Sequence, residues 1–168
     1  MSIQADYSAE EWNQIVAGPV IAGTTIIAAD PAVFGSIKES AAMAKAMVQY
    51  GESSPVELIK AISASVRAGH KYQQPQIPKD QGAEGAMKAL IGECQQAVEI
   101  VQSKSPEEAE SYSQFLMAVA KITAEASKEG GFLSIGAVRV SKQEVDALER
   151  LSAALNIQPG SDEAAENS

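Results

Sequence analysis

Residues 83–126 read AEGAMKALIGECQQAVEIVQSKSPEEAESYSQFLMAVAKITAEA, and the spacing of the apolar residues in this stretch decides the fold. Ala83, Met87, Leu90, Cys94, Ala97 and Val101 recur at alternating intervals of four and three, the mark of one buried face on an α-helix. The same alternation runs through Ala109, Tyr112, Leu116, Val119, Thr123 and Ala126, with Phe115 and Ile122 flanking it. Between the two seams lies Ser105-Pro106-Glu107-Glu108. Ser followed three residues later by Glu can close a reciprocal capping box, and Pro suits the first helical position because its missing N–H would have had no partner there. Two long amphipathic helices joined by so short a break predict an antiparallel helical hairpin.

Further Ser-x-x-Glu starts occur at Ser8/Glu11, Ser54/Glu57 and Ser141/Glu144. Tyr7 and Trp12 are placed to clamp the first entry, and Pro55 follows Ser54 as Pro106 follows Ser105. The expected architecture is therefore all-α, about six helices in one compact bundle over residues 1–158, with an acidic tail from 159 to 168 too polar to pack.

The first helix is expected over residues 9–29, kinked near Gly18-Pro19 because proline removes a backbone donor and crowds the preceding turn. One stripe carries Trp12, Ile15, Val16, Val20 and Ile27; another carries Gly18, Ala22, Thr25 and Ala29. A face of small residues lets a neighbouring helix approach closely, so this helix is expected at the centre. A second helix should run from about Ser36 to Tyr50 on Ile37, Ala41, Ala44 and Val48, ended by Gly51. A third should follow Ser54 on Val56, Ile59, Ile62 and Val66, stopping near Gly69. Residues 69–82 read as a long loop, and a sixth helix after Ser141 should turn Val145, Leu148, Leu151 and Leu155 inward.

The net charge is −9 and no Lys or Arg precedes Lys38, so a phosphate backbone or an anionic membrane would be repelled. Neither nucleic acid nor membrane is expected as a partner. The uncharged run from Ile15 to Ala29 spans roughly 22 Å as a helix, short of the ~30 Å apolar core of a bilayer. It is preceded by Asp6, Glu10 and Glu11 instead of the basic residues of an export signal, which makes a cytoplasmic protein the expectation.

No stretch carries a recognisable catalytic or metal-binding pattern. His70 is the single histidine and has no Cys or acidic neighbour at ligand spacing, so it reads as an exposed loop residue. Cys94, the single cysteine, falls on the inward seam, where a thiol behaves as a small hydrophobe. Arg67, His70, Lys71, Lys79 and Lys88 make the middle of the chain locally basic, most simply as a solvated surface. Neither a metal nor any other cofactor is expected.

The segment that exceeds the needs of a helix connection is Gly130-Gly131-Phe132 through Val140. Gly130, Gly131, Phe132 and Arg139, with Phe34 from the earlier interhelical segment, form the candidate binding residues; Arg139 suits an anionic group or a carboxylate such as Asp30 or Glu39. The plainer reading, a C-capping glycine followed by apolar residues that close the core, weighs more.

Lys128-Glu129-Gly130-Gly131-Phe132-Leu133, followed by Gly136, Val138-Arg139-Val140-Ser141 and Glu144, resembles a group of uncharacterised bacterial helical proteins. The first helix and its Ala-Asp-Pro exit are similar as well. The resemblance implies a bacterial cytosolic protein and brings with it no activity, cofactor or site. Two functions fit the residues: a non-enzymatic interaction protein that self-associates as a homo-oligomer, and a binder of, or enzyme on, a small molecule held between helices near the Gly130–Val140 loop. The shortage of acid, base and nucleophile candidates favours the first.

Overall fold

A computed structural model describes residues 3–29, 37–71, 80–128 and 140–157. After a short 3-10 turn at Ile3–Asp6 come six α-helices: α1 (Ala9–Ala29), α2 (Ile37–Ser53), α3 (Glu57–Arg67), α4 (Gly82–Lys104), α5 (Pro106–Lys128) and α6 (Lys142–Ala154). The fold is all-α, with no strand among the described residues.

The central helix is α1. It packs chiefly against α4 and α5, with α6 also on it, while α2 lies against α3 and α5. Thirteen of its 21 residues are buried, so it is apolar nearly all round, as a fully enclosed helix must be. By length and composition alone this helix could cross a membrane, but its apolar surface is covered by the other helices. The small face is the reason they fit: Gly18, Ala22, Thr25 and Ala29 are all buried.

The hairpin forms as the seams predict. Only Ser105 separates α4 from α5, and Met87, Leu90, Cys94, Ala97 and Val101 meet Ala109, Tyr112, Leu116 and Val119 in one buried cluster that draws on every helix. Ala83 departs from the reading and is exposed at the start of α4.

Two capping boxes close as written. Ser8 Oγ accepts from the Glu11 N–H at 3.1 Å while Glu11 Oε2 accepts from the Ser8 N–H at 2.7 Å, and Ser141 with Glu144 does the same. The other two do not close: Ser54 bonds locally, and Ser105 and Glu108 are taken by distant partners. Ser54 Oγ accepts from the Val56 N–H, so α3 begins two residues later than Pro55 implies. The Tyr7 phenol donates to Ser105 Oγ at 3.0 Å, and Glu108, freed from Ser105, reaches across to accept from the Leu58 N–H at 3.3 Å. A carboxylate of α5 thus caps the start of α3, where the orphan donors of a helix and its positive end both favour it.

Two helix faces differ from the expectation. Among the α2 side chains described, Met43, Ala46 and Met47 are buried, whereas Ala44 is exposed and Val48 only half-buried; those of Ile37 and Ala41 lie outside the described residues. The long Met side chains turn that face inward, and Gly51, read as a stop, is instead a buried helical residue pressed against Ser63 of α3. Ser63 Oγ donates to the Met47 carbonyl at 2.9 Å across the same contact. In α6 the inward residues are Glu144, Ala147, Leu151 and Leu155; Leu148 is half-buried and Val145 is exposed.

Gly69 ends α3 as read. At φ +75° it lets the His70 N–H reach back to the Ser65 carbonyl, the closing bond of a left-handed helix end. Asn156 takes the same role after α6 at φ 59°, with the Ile157 N–H bonded to the Ser152 carbonyl.

Candidate functional site

Several polar groups inside the bundle serve the backbone, while the Trp12 Nε1–H is buried with no hydrogen-bond partner among the described residues. Pro19 cannot donate to the Ile15 carbonyl one turn back, and the Tyr112 phenol, fully buried, donates to that oxygen at 2.7 Å. Gly18 makes this possible, because a Cβ there would collide with the Tyr112 hydroxyl. Burial raises the Tyr112 pKa well above that of a free phenol, so the group is a fixed neutral donor. Cys94 lies beside the same turn with Sγ 3.9 Å from the Gly18 carbonyl. Burial pushes its thiol pKa up, away from the reactive thiolate. Thr25 and Thr123 bond carbonyls of their own helices.

His70 is not the free loop residue the sequence suggests. Its Nε2 lies 2.7 Å from Asn13 Oδ1, tying the end of α3 to α1. Arg67 pairs with Glu52, so part of the locally basic stretch is neutralised by α2. Arg150 of α6 grips Glu84 of α4 through both carboxylate oxygens, at 2.6 and 2.9 Å. That bond holds the Glu84 carboxyl below the usual carboxylate range. No group of three His, Cys, Asp or Glu side chains able to hold a metal occurs among the described residues.

Phe34, Gly130, Gly131, Phe132 and Arg139 lie outside the described residues, as do Asp30 and the side chain of Glu39. Within the described part, an open groove of about 520 Å³ lies where α4, α5 and the end of α6 meet. Its apolar floor is Val98, Ala109, Leu155 and Ile157; Glu99 and Glu110 stand exposed on its rim.

The groove follows from the hairpin and the left-handed turn after α6. Ala109 at the head of α5 and Val98 of α4 line it together. Asn156 reverses the chain, and Leu155 and Ile157 on either side of it line the groove with residues of α4 and α5. Gln95 Nε2 donates to the Ala154 carbonyl at 3.2 Å and fixes the end of α6 in place. Ser113 lines the groove although only 4% exposed, and no hydrogen bond joins its hydroxyl to another described group. Sequence reading missed this site because it follows the outer sides of two seams and a helix end, none of which is conspicuous in the chain. Comparison with family models, curated proteins and solved structures finds no match.

Proposed function

We propose that this chain is a non-enzymatic helical interaction protein of the bacterial cytosol, which acts by holding a polypeptide, a second copy or another protein, along the α4–α5–α6 groove. The observation that carries the reading is the division of polar groups. The Tyr112, Thr25, Thr123 and Ser63 hydroxyls and the Cys94 thiol lie on backbone carbonyls, whereas Ser113, Glu99 and Glu110 border an apolar floor that solvent can enter. Apolar floor, polar rim and a few uncommitted hydrogen-bonding groups are the anatomy of a contact surface. The small-residue face of α1 is occupied inside the bundle, so the support for an interaction role rests on the outer groove.

The test uses the inertness of Cys94. Gln102→Cys, at the groove edge, and Glu52→Cys, on the α2 surface, each introduce one accessible thiol for a photo-crosslinking label. On this reading the label at position 102 captures polypeptide, either a second copy in the purified sample or a partner in bacterial cytosol, well above the level at position 52. Equal capture from both positions, or none from either, contradicts it.

A further inference from the structure

Building on the groove as a contact surface, we infer that its partner is a cationic polypeptide segment that inserts one apolar side chain between Val98 and Leu155 and places Lys or Arg side chains beside Glu99 and Glu110. The charges on the site all have one sign. Both rim carboxylates are exposed, no Lys or Arg lines the groove, and the last turn of α6 contains no basic residue. The partial negative charge at the C-terminal end of α6 therefore adds to that of the carboxylates.

The apolar floor distinguishes a peptide from a small hydrophilic cation. Val98, Ala109, Leu155 and Ile157 offer surface that only an apolar side chain would dehydrate favourably. Ser113 supplies a hydroxyl, buried to 4% exposure yet open to the groove, which can donate to or accept from the backbone of the bound segment. The chain's own residues 158–168 follow directly from Ile157, but they contain Asp162, Glu163 and Glu166 and no Lys or Arg. Their charge is opposed by that of the rim, so an added partner is favoured over the tail.

A labelled twelve-residue peptide with Leu anchors and flanking Lys residues serves as the probe, with one control carrying Glu for Lys and another carrying Ala for Leu. Fluorescence anisotropy with the full chain should show binding of the Lys/Leu peptide, at least tenfold weaker binding of each control, and loss of affinity with added salt. Glu99→Gln with Glu110→Gln should weaken binding at least tenfold, whereas Glu52→Gln with Glu57→Gln, the same change in net charge on α2 and α3, should leave it within twofold.

Equal weakening by the two double variants would reduce the effect to net charge and overturn the inference. Preferential binding of the Glu peptide, or a second copy of the chain occupying the groove in sedimentation and crosslinking from position 102, would also overturn it while leaving the groove as a contact surface. Absence of any binding together with absence of crosslinking from position 102 would remove both.

Discussion

The phenol of Tyr112 donates a 2.7 Å hydrogen bond to the Ile15 carbonyl, the oxygen that Pro19 leaves without its helical donor. One residue of α5 thereby repairs the backbone of α1 at the middle of the core, and Gly18 is the space in which it does so. Tyr112→Phe keeps the ring but leaves a buried carbonyl unpaired, and should destabilise by about 1–3 kcal/mol. Gly18→Ala forces the phenol out and should be at least as damaging. Urea unfolding measures both; a Tyr112→Phe variant as stable as wild type would show that Ile15 finds another donor.

The phenol also contributes to the alkaline limit, together with the buried Cys94 thiol, whose contribution begins to be lost at about pH 8.5, where an unfolded thiol ionises. Burial raises the phenol's pKa in the folded protein, so the folded state retains a proton that an unfolded tyrosine releases above about pH 10. The phenol's share of the stability should therefore fall as pH rises past about 10, beyond the earlier loss from Cys94, and Tyr112→Phe should flatten that part of the fall. At the acid end Glu11, held below the usual range by its bond from the Ser8 N–H, and Glu84, held down by Arg150, act with the opposite sign. Their contribution is complete above the ordinary Glu value of about 4.3 and disappears as pH drops through the lower folded values. Melting temperatures across the two ranges, with Arg150→Ala reducing the acid dependence, check the assignment.

Leu90 and Leu116 are both completely buried on the facing seams of α4 and α5. Leu→Ala at either should destabilise by about 2–5 kcal/mol. A change well below 1 kcal/mol at both positions in denaturant unfolding would contradict the packing of the hairpin.

Gly51 separates propensity from packing. In an exposed helix Gly→Ala stabilises by roughly 0.5–1 kcal/mol, but here the added methyl meets Ser63, which is itself bonded to the Met47 carbonyl. Gly51→Ala should be destabilising by about 1–3 kcal/mol through overpacking, and thermal unfolding shows the sign directly.

Much of the bundle was legible because its strongest signals are local. The regular seams of α4 and α5, the small face of α1, the Gly69 helix end and the boxes at Ser8 and Ser141 depend on residues within a few turns of one another. What escaped depends on distant partners: Tyr7 occupies Ser105, Glu108 serves α3, Asn13 engages His70, and Tyr112 serves Ile15. In α2 and α6, where Ala, Val and Met offer more than one apolar stripe, the neighbouring helices chose the face, which left Ala44 and Val145 outside. The groove was illegible for a related reason. It is the space left when three correctly read elements meet, and the glycine-rich segment that drew attention in the sequence lies outside the described residues.

Backbone amide chemical shifts of the full chain, followed as the Lys/Leu peptide is added, test contact through the α4–α5–α6 groove. Shifts should concentrate on residues 98–114 and 155–157, with those of α2 and α3 nearly unmoved. Shifts spread evenly over the acidic surface, or confined to helices away from Ser113, would contradict contact through the groove.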